Sequence, residues 1–168
     1  MMPAALGVGK VQHSADVTAR LLPAGQGEGC TIGQPGDVGP TAAAFPSGEG
    51  RFALTVETSG TWIATVAFSS NRSGIGSRSS FSGTGGEVTR LFSLSQRGYT
   101  FSYSSDLSAT YFYAGLVDVE GYFAGSVAYF DADSTESDPQ SGGTLIVPGP
   151  GTYLLQVYSD AAWAISID

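Results

Sequence analysis

Carboxylates are the main reactive groups this sequence offers. Asp131, Asp133, Glu136 and Asp138 fall within eight residues of the segment DADSTESDPQSGG, close enough to present hard oxygens to Ca²⁺. As a calcium loop of the EF-hand kind, the segment has Glu136 where the sharp turn needs glycine and Gly142 where a bidentate glutamate would close the cage. A solvated acidic turn between strands is the alternative reading, and apart from this Ca²⁺ candidate no cofactor is expected. Paired-acid hydrolysis of glycosides needs two carboxyls across a cleft, and the spacing singles out no such pair. His13 is the one histidine and Cys30 the one cysteine, so neither a Ser-His-Asp nor a Cys-His site assembles, and zinc would lack ligands. The stretch GVGK, Gly7 to Lys10, lacks the leading glycine and the following Ser or Thr of a phosphate loop. No catalytic residue is assigned, and the chain is not expected to be an enzyme.

Aromatic residues offer a second kind of chemistry. Tyr99, Phe101 and Tyr103 share one face of a strand, while Tyr111 and Tyr113 lie opposite Phe112, Ala114 and Leu116. If one side of that sheet is solvated, Tyr111 and Tyr113 are candidate contacts to a sugar or a protein. Burial in a core is the other account.

These residues have to be positioned by strands. The 168 residues are 42 % hydrophobic and only 13 % charged, with 9 Phe, 8 Tyr and 24 Gly, a composition of strands joined by tight turns rather than of a disordered chain. The formal net charge of -8, with seven scattered cations, excludes a run of phosphate contacts and disfavours an anionic membrane surface. No stretch approaches the roughly 18 apolar residues of a membrane span, and no basic leader with an apolar run opens the sequence. A single cysteine rules out an internal disulfide framework and reads as a small buried hydrophobe.

The clearest organisation is a repeat. GRFALTVETSGTWIATV, Gly50 to Val66, aligns without a gap on GTYLLQVYSDAAWAISI, Gly151 to Ile167. Period-2 alternation in both copies predicts hairpins with one buried face, the core residues being Phe52, Leu54, Val56, Trp62 and Val66 in the first and Tyr153, Leu155, Val157, Trp163, Ile165 and Ile167 in the second. Further short strands at regular intervals predict an all-β chain, an antiparallel β-sandwich of jelly-roll or Ig-like type. The expected organisation is an N-terminal arm over 1–14, a first β module over 15–70, a Ser/Gly-rich loop or linker over 71–80, and a second β-sandwich module over 81–168.

The second half, with Leu116, Asp118 and Gly121 as L-x-D-x-x-G and Gly151 to Ile167 as G-x-Y-x-L-x-V followed by W-x-I-x-I, is similar to a sandwich module of actinobacterial, archaeal and phage proteins. SGTWIATVAFSS, Ser59 to Ser70, resembles β-domains of phage head and tail accessory proteins, although NRSG stands where those continue into an Asp-Gly turn. The resemblance implies a structural virion accessory protein, most concretely a capsid decoration protein. Such a protein is made in the host cytoplasm, docks on the major capsid protein or other virion proteins, and is expected to be a homo-oligomer without nucleic-acid or membrane partners. The alternative is a carbohydrate-binding or adhesion module, including a tail or baseplate accessory domain.

Overall fold

The computed structural model describes residues 6–13, 17–23, 30–33, 41–46, 52–69, 79–95, 98–119, 121–135 and 139–168. Among them the N-terminal part forms β1 (Leu6–His13), β2 (Val17–Pro23), β3 (Cys30–Gly33), β4 (Thr41–Pro46), β5 (Phe52–Thr58) and β6 (Trp62–Ser69). The remainder forms β7 (Ser79–Thr84), β8 (Glu87–Val88), β9 (Phe92–Leu94), β10 (Tyr99–Ser105), β11 (Tyr111–Asp118), β12 (Phe123–Asp131), β13 (Ser141–Ile146), β14 (Gly151–Ser159) and β15 (Ala162–Ile167). The fold is all-β and its ladders are antiparallel. No helix among the described residues is long and apolar enough to cross a membrane.

β7 to β15 make two facing sheets. One has the order β13-β10-β15-β7; the other has β12-β11-β14, with β8 and β9 sharing the far edge of β14. Taken as one interrupted strand, β8 and β9 complete an eight-stranded jelly-roll order, in which successive strands alternate between sheets except at the β11–β12 hairpin. Alternate residues then face inward from both sides. Trp163, Ile165 and Ile167 from one sheet meet Tyr153, Leu155 and Val157 from the other in a single buried cluster. The L-x-D-x-x-G element is the β11–β12 turn. Leu116 is fully buried, Asp118 accepts the Tyr122 N–H through Oδ1 at 2.9 Å, and the Gly121 N–H donates to the Asp118 carbonyl at 3.0 Å. Gly121 has φ of 87°, a conformation a side chain would strain.

The repeated unit is not a hairpin in either copy. β5 pairs with β2 while β6 pairs with β1; β14 pairs with β11, β8 and β9 while β15 pairs with β10 and β7. Each copy is a corner that carries the chain from one sheet to another. Period-2 alternation reports which face of a strand is buried and is silent on which strand lies beside it, so facing strands and paired strands read alike.

The duplication extends beyond that unit. β1 to β6 form sheets ordered β4-β1-β6 and β3-β2-β5; writing β10 to β15 in their places yields β13-β10-β15 and β12-β11-β14, the C-terminal orders without β7, β8 and β9. Register agrees as well. Trp62 stands opposite His13 as Trp163 stands opposite Ser105, and Leu54 opposite Leu21 as Leu155 opposite Leu116.

Three expectations change here. Much of the segment read as an arm is β1, central in its sheet with ladders to β4 and β6; Gly7 and Gly9 deprive it of alternating side chains, so its strand character comes from its neighbours. β7 begins at Ser79, inside the stretch read as linker; residues 71–78 lie outside the described residues.

The third change is Trp62, which is 46 % exposed where Trp163 is 4 % exposed. β7 makes the difference. Gly83 lies opposite Trp163, where a Cβ would come 2.7 Å from the indole Cζ2, and the indole N–H donates to the Gly85 carbonyl at 3.0 Å. Among the described residues no strand pairs with the corresponding edge of β6, and Trp62 is left open instead of sealing a core. Leu54 and Val56 are half-buried. Phe52 and Val66 have defined strand positions on β5 and β6, and their side chains lie outside what is described.

Candidate ligand-binding face

β11 sends Phe112, Ala114 and Leu116 into the core and turns Tyr111, Tyr113 and Gly115 to the outside of the β12-β11-β14 sheet. Register sets Tyr129 of β12 and Tyr158 of β14 on either side of Tyr113. The Tyr113 and Tyr158 rings lie 6.1 Å apart at 37°, and Tyr111 meets Tyr129 edge-on at 6.1 Å and 81°. These are direct ring contacts. They leave no slot between the rings, so a ligand meets their outward surfaces.

Gly115 sets the lie of the central ring. A Cβ at Gly115 would come 2.7 Å from the Tyr113 hydroxyl oxygen and 3.1 Å from Phe123 Cε2, so Tyr113 extends along its own strand over the glycine toward Phe123, which is 61 % exposed. The ladder shifts register between Ala114 and Gly115, and Val127 and Ala128 are both buried beside it. Such a bulge re-aims the side chains on either side of it. A low aromatic shelf results.

Its polar rim is acidic or neutral. The Tyr129 hydroxyl donates to Asp131 Oδ2 at 3.2 Å, and Gln156 Nε2 donates to the Tyr158 hydroxyl. Burial pushes the Tyr113 phenol above its ordinary range; for Tyr129 burial does the same, joined by the hydrogen bond to Asp131 and that carboxylate's charge. Both are neutral phenols at physiological pH. β11, β12 and β14 contain no Lys or Arg.

The Ca²⁺ candidates are only partly placed. Asp131 Oδ1 accepts the Asp133 N–H at 3.0 Å and the Asp131 carbonyl accepts the Ser134 N–H at 3.1 Å, the pattern of an Asx turn after a strand. Glu136 and Asp138 lie outside the described residues. Among the described residues no three acids, histidines or cysteines come together as a metal site.

The opposite outer face, on β7, β15 and β10, is a shallow depression of about 310 Å³ bordered by Ser80, Ser82, Ser102, Ser104, Ala164 and Ser166. Among the described residues no charged group borders it. The aromatic face is the chemically distinctive one. Sequence reasoning found its Tyr111 and Tyr113 but missed Tyr129, Tyr158 and Phe123. Tyr158 was legible, since it falls out of phase with Tyr153, Leu155 and Val157; Tyr129 and Phe123 were hidden because the β11–β12 ladder shifts register twice, at Ala114/Gly115 and at Leu116/Val117, which breaks the alternation of β12. No protein-family model matches the chain, and a search of curated proteins found no relative.

Proposed function

We propose that the protein is a binding module whose Tyr111–Tyr113–Tyr129–Tyr158 face takes an uncharged glycan. One observation carries this reading: Tyr113 lies along the sheet over Gly115 instead of standing out from it, which turns a ring surface toward solvent. Apolar ring surface with a few polar atoms at its margin suits the C–H faces and hydroxyls of a sugar. The acidic chain and the lack of Lys or Arg on these strands disfavour anionic sugars. The test is affinity gel electrophoresis of the full chain against a panel of soluble neutral and acidic polysaccharides. Retardation by at least one neutral polymer, weakened about tenfold by Tyr113→Ala and also by Gly115→Ala, is the expected result. Unretarded wild-type protein across the neutral panel would overturn the reading.

A second reading, a virion accessory protein docking on a major capsid protein, is favoured by the exposure of Trp62 and, on the other face of the same strand, of Ile63, at 66 %, since apolar residues exposed at a sheet edge suit a protein contact. In that role the chain would be carried in the virion and stabilise the shell by binding only its assembled form. Stripping it from particles should lower their melting temperature; an unchanged value would count against this role.

A further inference from the structure

We propose that the outer edge of β6 is a strand-acceptor site, filled by an extended Ser/Gly-rich segment of a partner polypeptide that places a glycine opposite Trp62. This is independent of what the tyrosine face binds.

The template is in the same chain. β6 corresponds to β15, and the edge of β15 is covered by β7 from Ala162↔Thr84 to Ile167↔Ser79. The β7 sequence SSFSGT shows what such an edge takes. Phe81 is buried in the core, Gly83 leaves room for the indole of Trp163, and the carbonyl of Gly85 just beyond receives its N–H. On β6 the corresponding tryptophan is exposed beside an exposed Ile63.

The strand WIATVAFS also carries no charge and no proline, the devices with which proteins ordinarily blunt an open edge. An uncovered strand edge recruits an extended peptide through main-chain hydrogen bonds, with side-chain fit conferring selectivity. Here the selective feature is the indole, which admits only a residue without a side chain opposite it.

The probe is a synthetic peptide with the sequence of residues 79–86, SSFSGTGG, titrated into the full chain carrying Trp163→Phe, so that Trp62 alone reports by fluorescence. A saturable blue shift is expected. It should be lost with a peptide whose glycine at the Gly83 position is valine, and weakened at least tenfold by Trp62→Ala when the wild-type chain is followed by calorimetry. A tethered version removes dependence on affinity: a duplicate of residues 79–98 fused ahead of Leu6 reproduces the connection that joins β7 to β10. The fusion should shift Trp62 emission to the blue and protect β6 amides from hydrogen exchange. Unchanged emission and exchange in the fusion, or equal binding of the glycine and valine peptides, would overturn the proposal.

Discussion

Thr89 and Leu155 exchange two hydrogen bonds, one through the backbone of Thr89 and one through its side chain. The Thr89 N–H donates to the Leu155 carbonyl at 2.9 Å, and the Leu155 N–H donates to the Thr89 hydroxyl at 2.9 Å. The hydroxyl stands where a strand carbonyl would stand, and donates in turn to the Arg90 carbonyl at 3.1 Å. β8 ends at Val88 and β9 begins at Phe92; the side chain carries the ladder across the gap.

Thr89→Val keeps the shape and removes the acceptor. The fully buried Leu155 then has an unsatisfied N–H, which costs about 1–3 kcal/mol. Thr89→Ser should retain most of the wild-type stability. Urea unfolding followed by circular dichroism checks this, with a lowered midpoint and an unchanged slope for the valine variant.

The two equivalent tryptophans should differ sharply in their contribution to stability. Trp163 is buried and hydrogen-bonded, so Trp163→Ala should cost about 3–5 kcal/mol. Trp62→Ala, at a half-open edge, should cost less than about 1 kcal/mol. Thermal unfolding of both variants decides the matter, and equal losses would mean that Trp62 is sealed in solution. Gly83→Ala belongs to the same test, because its Cβ would press on the Trp163 ring, at a cost of about 1–3 kcal/mol.

Asp160 ties the β14–β15 corner to the start of β11. Its carboxylate accepts the Thr110 N–H at 3.1 and 3.0 Å, the Thr110 hydroxyl and the Tyr111 N–H at 3.2 Å. Burial pushes the acid upward, but the hydrogen bonds from Thr110 and Tyr111 outweigh it and hold its pKa below the ordinary carboxylate value. A depressed folded pKa stabilises the fold above the unfolded value of about 3.9, and that contribution is lost as pH falls through the folded pKa. Asp160→Asn should therefore be less stable than wild type at pH 7, and the two should converge in acid below about pH 4. A pH series of melting temperatures measures the convergence; a constant gap between the two would count against the role.

How much of this was legible follows from what side-chain alternation encodes. Tyr153, Leu155, Val157, Trp163, Ile165 and Ile167 are buried in one cluster, and their phase is plain in the sequence because inward residues on a strand recur every second position. The partners of those strands were not legible. Gly50 to Val66 and Gly151 to Ile167 read as hairpins and are corners, because local pattern carries no term for which edge a strand joins. β1 was missed because Gly7 and Gly9 erase the alternation, and Tyr129 because the β12 bulge shifts it.

Composition and alternation alone were enough to make this chain all-β, to give its strands an inside and an outside, and to show that one unit occurs twice. Those properties belong to single strands and are written in neighbouring residues. Whether Trp62 and Trp163 share a fate, and whether Tyr113 stands or lies flat, depended on groups brought in from afar: Gly83 of β7 and Gly85 just beyond it for Trp163, the sheet neighbours and bulge around Gly115 for Tyr113. Burial of an edge residue is a property of whatever covers it, and a covering strand can come from anywhere in the chain.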